Sequence, residues 1–421
     1  MRQGRLVALD KQPGIRPLGI GEAWMRAVSK LVLMQCGLDG KEACGNTQLC
    51  AGLEAGIEGA IHASIHRANT NNTLQFPNGG NHTTALLSDP PSHTAPPDHN
   101  LHPTANTPPD STIDPRTQHD PEVHFLTDAR NGFGELSRLA MLWEVRHRWP
   151  AGSRFAYNLY RHECRLILRG HPGTEPAILM SREGVMQGCV WGMILYGIGL
   201  MPLAEALRRS DPSVLQPWYA DNFALQGPAS HVAALFHKLC RHGPSVGYFP
   251  EPEKCWVISP PSSEPHARQV FNDASLSVNY CHGRRYVGGF VGSQETRDEW
   301  LTPMVQKWVT GIDRLAAVAT RFPHSAYAGL VSCLSAEWQY ICRTVPDIGP
   351  SLAPVENALG TKFLPAVLGI DGPIDDTYRT LLGNGVKTGG LAIRDPTLAT
   401  APLYSTSVEA TGMLTGTLLC N

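Results

Sequence analysis

Two aspartates beside β-forming segments are the residues of this sequence best suited to metal-dependent chemistry. Asp221 lies in residues 216–225, where apolar residues stand on both sides of a short turn. This pattern predicts a tight β-hairpin that holds the turn residue clear of the sheet. A carboxylate held there can bind a divalent cation if a second one comes from elsewhere in the chain. An ordinary surface turn is the alternative, because Asp and Asn are frequent in turns.

The second carboxylate is Asp128, which ends a short apolar strand predicted for residues 123–127. An aromatic residue, Phe133, follows in the same segment.

Two further segments carry polar residues next to predicted regular structure. Gln187 and Gly188 lie in a polar loop that leads into an apolar helix predicted for residues 189–207. Glycines and a glutamate interrupt that helix, so a buried helix is favoured over a membrane span. Lys254 stands just before a strand predicted for residues 255–258.

The composition is that of an intracellular globular protein with more than one domain. The chain has 421 residues, 42% of them hydrophobic, and a formal net charge of −2. A near-neutral chain can bind nucleic acid only if its basic residues are concentrated in a groove. The eleven cysteines show no regular spacing and the N-terminus is polar. Reduced thiols and a cytoplasmic or nuclear location are therefore predicted, with no secretion and no membrane partner.

Residues 62–122 differ from the rest in being rich in Pro, Thr, Asn and His. A segment with so few apolar residues is predicted to be a disordered insertion. His99 and His102 raise the alternative of a zinc site. That alternative is not favoured, because no cysteine lies between Cys50 and Cys164.

The C-terminal part is predicted to be mostly helical. Aromatic and aliphatic residues recur with helical period over residues 300–319 and 327–341, which is more typical of a helical bundle core than of a binding surface. Residues from 371 onward show no such period and are predicted to be irregular.

Taken in order, these segments resemble the reverse transcriptases of retrotransposons, particularly the non-LTR type. The segments that carry the resemblance are an Arg-Pro segment (16–20), an Asp motif (128–133), a Gln-Gly loop (183–188), a Tyr-x-Asp-Asp hairpin with its last residue changed (219–222), a primer-grip segment (286–289) and a Gly-Gly-Leu tail (389–396).

The resemblance implies an α+β fold, the palm of a right-hand polymerase with partial fingers and a helical thumb. The corresponding ranges are 1–61 for partial fingers, 62–122 for the insertion, 123–260 for the palm and 261–421 for the thumb and connection. The implied enzyme is an RNA-directed DNA polymerase, a nucleotidyltransferase that extends a primer on an RNA or DNA template with deoxynucleoside triphosphates.

The resemblance also implies the roles of the residues that act on the phosphates. Asp128 and Asp221, with the Ala129 carbonyl, would hold two Mg²⁺ ions, for which Mn²⁺ can substitute. Asn222 stands at the second Asp of the hairpin motif, and Lys254 would protonate the leaving pyrophosphate.

Four residues are implied to bind the nucleotide and the template. Arg16 would contact the triphosphate, and Phe133 would lie under the sugar and exclude a 2′-hydroxyl. Gln187 and Gly188 would pack near the incoming nucleotide and the template. For Arg16, Phe133 and Lys254 a purely structural role is the alternative.

Two positions depart from the family pattern. Asn222 has no charge, so a catalytic ion should bind more weakly there, and Trp191 is expected to crowd the nucleotide pocket. These departures leave a second hypothesis open, an inactive and truncated reverse-transcriptase remnant that only binds nucleic acid.

Overall fold

The computed structural model of the chain describes a mixed α and β fold. For residues 2, 3, 8–10 and 15–17 the description covers the backbone alone. The described residues are 2–10, 15–70, 120–169 and 173–420.

The regular elements are numbered here along the chain. The strands are β1 (Arg2–Asp10), β2 (Ile15–Gly21), β3 (Glu122–Leu126), β4 (Cys164–Leu168), β5 (Ala177–Ser181), β6 (Trp218–Tyr219), β7 (Asn222–Pro228), β8 (Trp256–Ile258), β9 (Asn279–Cys281), β10 (Gly283–Tyr286) and β11 (Gly289–Gly292). The helices of the first part are α1 (Ala23–Cys44), α2 (Gly56–Thr70), α3 (Gly132–Glu135), α4 (Arg138–Arg148), α5 (Pro150–Tyr160), α6 (Gly192–Ser210), α7 (Ala229–His242) and α8 (Glu264–Asp273). Those of the last part are α9 (Gln294–Ala319), α10 (Pro323–Gly329), α11 (Ser335–Thr344), α12 (Ala353–Ala358), α13 (Leu364–Leu368), α14 (Asp376–Gly383), α15 (Pro396–Ala410) and α16 (Gly412–Leu419).

A five-stranded sheet with the order β6-β7-β3-β8-β9 forms the centre of the fold. β3 is its middle strand and pairs antiparallel with both β7 and β8. Phe125 of β3 is fully buried against Phe236 of α7 and Phe271 of α8, with ring centroids 4.7 and 5.4 Å apart. The opposite face of β3 carries His124, whose ring lies edge-on to Tyr286. Because both faces are covered, the end of β3 is held rigidly.

The apolar helix predicted for residues 189–207 is present as α6 and is a core helix. Tyr196, Ile198 and Leu200 are completely buried, and the helix contacts α1, α4 and α7. No helix among the described residues has the length and apolar character needed to cross a membrane.

A second sheet of four strands joins the N-terminus to the middle of the chain, with the order β2-β1-β4-β5. β1 pairs antiparallel with β2 and parallel with β4. β4 and β5 therefore belong to this sheet and not to the five-stranded one. The five-stranded sheet also includes β9, which lies beyond residue 260, the end of the range expected for the palm.

The N-terminal boundary of the predicted insertion, residue 62, is wrong. Helix α2 continues to Thr70 and buries Ile61 and Ile65, because its apolar face packs against α15 and α16 near the C-terminus. At the other end, β3 begins at Glu122. The disorder predicted for residues 71–119, including His99 and His102, lies outside the described residues.

The predicted helical bundle of the C-terminal part is confirmed. α9 buries Trp308, which lies 6.1 Å from Trp338 of α11 between ring centroids. The irregular tail predicted from residue 371 is wrong, because α14, α15 and α16 form there. The buried positions of α15 are Pro396, Thr400 and Ser407, so the helix lacks the apolar period by which helices are recognised in a sequence.

Candidate functional site

The predicted hairpin around Asp221 is present, formed by β6 and β7. Tyr219 pairs with Asn222, so Ala220 and Asp221 are the two central residues of the turn. Ala220 has a φ of +54°, the sign required at the first central residue of the turns that suit two-residue hairpins. The connection therefore projects Asp221 beyond the end of the sheet.

The turn is fixed from below by two buried side chains that the sequence analysis did not identify. Gln48, from the segment between α1 and α2, accepts a hydrogen bond from the Ala220 amide at 2.8 Å. The hydroxyl of Tyr248 donates to the Asp221 carbonyl at 3.2 Å, and burial raises the pKa of Tyr248 far above its usual range, so this hydroxyl stays protonated.

Asp128 reaches the same edge of the sheet as Asp221. Leu126 pairs with Ala224, and the next residue, Thr127, donates its backbone N–H to the Phe223 carbonyl at 3.0 Å. If this pairing continues by one more residue, Asp128 lies beside the hairpin turn. The Asp128 amide donates to the Cys255 sulfur and the Glu251 amide donates to the Asp128 carbonyl, which holds the segment in place. The Asp128 side chain is exposed.

The two aspartates line one cleft of about 590 Å³. Six of the residues singled out from the sequence meet there, namely Asp128, Phe133, Gln187, Asp221, Asn222 and Lys254. The remaining lining residues are Leu18, Leu126, Thr127, Gly192, Met193, Trp256, Arg284 and Arg285.

Two of the predicted site residues, Ala129 and Gly188, do not line the cleft. Ala129 is buried, with 7% exposure. Gly188 packs against β2, where an added Cβ would come within 2.3 Å of the Gly19 carbonyl oxygen. The Arg16 side chain lies outside the described residues.

Trp191 does not crowd the cleft, so that expectation is wrong. Its side chain is fully buried and stacks on Trp149 at 4.6 Å between ring centroids. The indole N–H donates to the Ser29 carbonyl of α1 at 2.9 Å. Trp191 therefore joins α1, α5 and α6, and its size has no direct effect on the cleft.

Phe133 lies on the floor of the cleft in contact with the core. Its ring stacks on that of Tyr196 at a centroid distance of 4.4 Å with 23° between the planes. Burial raises the pKa of Tyr196 well above its usual range, so the ring below Phe133 is neutral. Phe133 is thus both a core residue and a cleft residue.

Gly132 fits beneath the Asp221 side chain with no space to spare. An added Cβ would lie 2.8 Å from Asp221 Cβ and 2.9 Å from the Tyr196 hydroxyl. We expect Gly132→Ala to lower the free energy of unfolding by about 1–3 kcal/mol, the usual range for overpacking, and to displace Asp221. Urea unfolding measures the first effect.

Gly134→Ala is the matched control, because the atoms nearest to its Cβ would be those of the exposed Asn131 side chain, which can move away. Equal stability of the two variants would contradict the close contact at Gly132.

Lys254 is an exposed residue of a short 3₁₀ turn before β8 and is paired with Glu251. This hydrogen bond raises the pKa of Lys254 above its ordinary value, so its ammonium group stays protonated to higher pH. If Lys254 is the acid of the reaction, Glu251→Gln should lower its pKa and move the alkaline limb of the kcat–pH profile to lower pH. Glu253→Gln, which removes a more weakly acting neighbouring charge, should move the limb less, and an unmoved limb in Glu251→Gln would contradict the role.

Arg284 and Arg285 are cleft residues that the sequence analysis did not single out. They lie on β10, and the Arg284 guanidinium stacks over the ring of Trp256 at 3.8 Å. Together with Lys254 they bring positive charge to the same cleft as the two aspartates. In the sequence, the two adjacent arginines just before Tyr286 were the feature that could have indicated a basic site there.

The donor set suits a hard divalent cation bound together with a phosphate substrate. Among the described residues no group of three or more His, Cys, Asp or Glu side chains converges. Asp128, Asp221 and the Asn222 amide supply only oxygen ligands from the protein. Mg²⁺ commonly has one or two carboxylates, with water and substrate phosphates completing its shell.

Comparisons with known proteins add distant structural similarity only. No family model and no curated protein matches the chain. Apo telomerase from Candida tropicalis is 10% identical, with a TM-score of 0.46 over 98% of this chain and 66% of that one. Telomerase from Candida albicans, solved with a TWJ fragment of telomeric RNA, is also 10% identical. Its TM-score is 0.46 over 98% of this chain and 63% of that one. This chain spans less than two thirds of the length of these telomerases.

Proposed function

We propose that the chain is a template-directed nucleotidyltransferase, a reverse transcriptase of retrotransposon origin. The observation that supports this most strongly is the convergence in one cleft of Asp128, Gln187, Asp221 and Lys254, which come from four separate segments. In this proposal the five-stranded sheet is the palm, the four-stranded sheet belongs to the fingers, and α9–α13 form the thumb.

Asp128 and Asp221 are the residues that would hold Mg²⁺. Their carboxylates lie at one edge of the sheet, fixed by the β3–β7 register and the hairpin turn. A bound pair of ions would supply the positive charge that activates a primer 3′-hydroxyl and stabilises the leaving oxygens. The chain itself contributes the fixed position of the two carboxylates.

Other residues of the cleft would handle the nucleotide. Lys254, kept protonated by Glu251, would donate a proton to the leaving pyrophosphate. Phe133, supported by the Tyr196 ring, presents a rigid apolar surface to the sugar and favours deoxynucleotides. Gln187 stands in the loop before α6 and would contact the nucleotide or the template base.

The nucleic-acid backbone would be bound by the arginines of β10. The Arg284 guanidinium lies over the Trp256 ring at 3.8 Å, which restricts its position, and Arg285 is exposed beside it. Arginine pairs with phosphate through two parallel hydrogen bonds, and each such contact makes binding more sensitive to salt.

Asn222 favours a second candidate function, a nucleic-acid-binding remnant without turnover. Its side chain is exposed in the cleft next to Asp221, and its Nδ2 lies 3.5 Å from Asp221 Oδ1. A carboxylate at this place would add a negative charge to the metal site, whereas the amide adds none.

Primer extension separates the two functions. The parent chain is given an RNA template with an annealed primer, deoxynucleotides, and Mg²⁺ or Mn²⁺, and a second sample receives ribonucleotides. Metal-dependent extension that prefers deoxynucleotides is the result expected of a polymerase. Salt-sensitive binding of the primer–template without extension would identify the remnant, and no binding at low salt would overturn both.

A further inference from the structure

Gln48 is a buried polar residue whose side-chain hydrogen bonds, among the described residues, go to the turn that carries Asp221. It is 1% exposed. Its Oε1 accepts from the Ala220 amide at 2.8 Å and its Nε2 donates to the Ala220 carbonyl at 3.4 Å. One side-chain amide thus binds both polar groups of the residue that precedes Asp221.

The backbone at Ala220 requires such a partner. Residues with a Cβ rarely adopt the left-handed conformation, in which glycine, Asn and Asp are usual, yet Ala220 has a φ of +54°. The residue after Gln48 also contributes, because the Leu49 amide donates to the Trp218 carbonyl of β6 at 2.8 Å. The turn is therefore held in its conformation by the segment between α1 and α2.

Helix α6 leaves the space that Gln48 needs. At Gly197 an added Cβ would lie 2.8 Å from Gln48 Cγ, and the sulfur atoms of Cys44 and Cys50 would be 3.3 and 3.6 Å away. Gln48 is thus enclosed on this side with no room to shift. A methyl group at Gly197 would push the amide away from the turn while leaving every hydrogen-bonding group in the chain.

We propose that Gln48 is a positioning residue of the active site, which sets the direction of the Asp221 carboxylate by holding the Ala220 peptide groups. The inference rests on the proposed polymerase function. Rotation of the peptide unit between Ala220 and Asp221 would swing the carboxylate out of register with Asp128. The Tyr248 hydroxyl donates to the Asp221 carbonyl on the other side of this residue, so Gln48 and Tyr248 hold the backbone before and after the Asp221 side chain.

The test compares Gln48→Met with Gln226→Met. Gln226 is also 1% exposed and bonded to a side chain and a backbone carbonyl, and it lies in β7 of the same hairpin but away from the turn. Both variants lose a buried amide, so a general loss of stability affects both. Gly197→Ala serves as a second variant that keeps Gln48 itself.

Hydrogen exchange of the Ala220 amide is the first readout, and it requires no activity. We expect its exchange rate to rise by about tenfold or more in Gln48→Met, as for an amide that loses its partner, and to rise in Gly197→Ala. In Gln226→Met it should stay near the parent value. An unchanged exchange rate in Gln48→Met would overturn the inference that Gln48 holds the turn in its conformation.

Metal affinity and turnover are the second readout. In Gln48→Met we expect Mn²⁺ binding, followed by electron paramagnetic resonance, to weaken and kcat to fall by roughly tenfold to a hundredfold, the size seen for small misplacements of reacting groups. The KM for primer–template should stay near that of Gln226→Met. Lost amide protection with parent-like kcat and Mn²⁺ affinity would overturn the positioning role. A parent that neither binds Mn²⁺ nor extends a primer, while Gln48→Met still loses protection at Ala220, would instead overturn the proposed function and leave the hold on the turn supported.

Discussion

Asp221→Asn is expected to lower the rate of primer extension by about a thousandfold. Such a loss corresponds to roughly 4 kcal/mol of transition-state stabilisation at 1.36 kcal/mol per factor of ten. The variant keeps the shape of the turn and removes one of the two carboxylate charges that face the cleft. Single-turnover extension with saturating primer–template and Mn²⁺ measures the effect on the chemical step.

The control must remove an exposed carboxylate without touching the cleft. Asp313→Asn does this, because Asp313 lies on α9 and pairs with Lys362 at 2.8 Å. Surface ion pairs contribute about 0–1 kcal/mol, so this variant should retain both parent activity and stability. Extension by Asp221→Asn at the rate of Asp313→Asn would contradict the role of Asp221.

Asn222→Asp is expected to strengthen metal binding, whereas Asp221→Asn weakens it. The Mn²⁺ concentration for half-maximal extension should fall by about tenfold, since hard cations bind charged oxygen ligands more tightly. Without metal, the new carboxylate would repel Asp221 beside it, where Asn222 Nδ2 now lies 3.5 Å from Asp221 Oδ1. The variant should therefore be less stable than the parent in chelator and regain stability when Mn²⁺ is added. Thermal unfolding with and without Mn²⁺, together with the metal dependence of extension, measures both effects.

Asn222→Ala distinguishes a missing charge from a necessary amide. If the amide oxygen contributes to binding, the alanine variant requires more Mn²⁺ than the parent. If Asn222→Asp gains nothing in metal affinity or extension, the amide at this position is not what limits the site, and the remnant function loses its main support.

The parts of the site that are encoded locally could be predicted from the sequence. The hairpin at Asp221 follows from apolar residues on either side of a turn, and the strand before Asp128 from a short apolar run. Their meeting in one cleft was implied only by the order of the segments, and the register of β3 with β7 accounts for it physically.

The supporting residues could not be predicted in this way, because their function depends on contacts that are distant in the sequence. Gln48 is 172 positions from Ala220, and a single glutamine between two helices has no period and no motif. Trp191 was misinterpreted for the same reason, since only the packing of α1, α5 and α6 shows that it faces the core.

The central claim is that Asp128 and Asp221 together form a metal site. The most direct test is anomalous diffraction from crystals that have been soaked in Mn²⁺ and a non-hydrolysable deoxynucleoside triphosphate. The account predicts a manganese peak in the cleft, in contact with both carboxylates, that is lost in Asp221→Asn. A nucleotide bound in the cleft with no peak at either aspartate, or a peak that persists unchanged in Asp221→Asn, would contradict it.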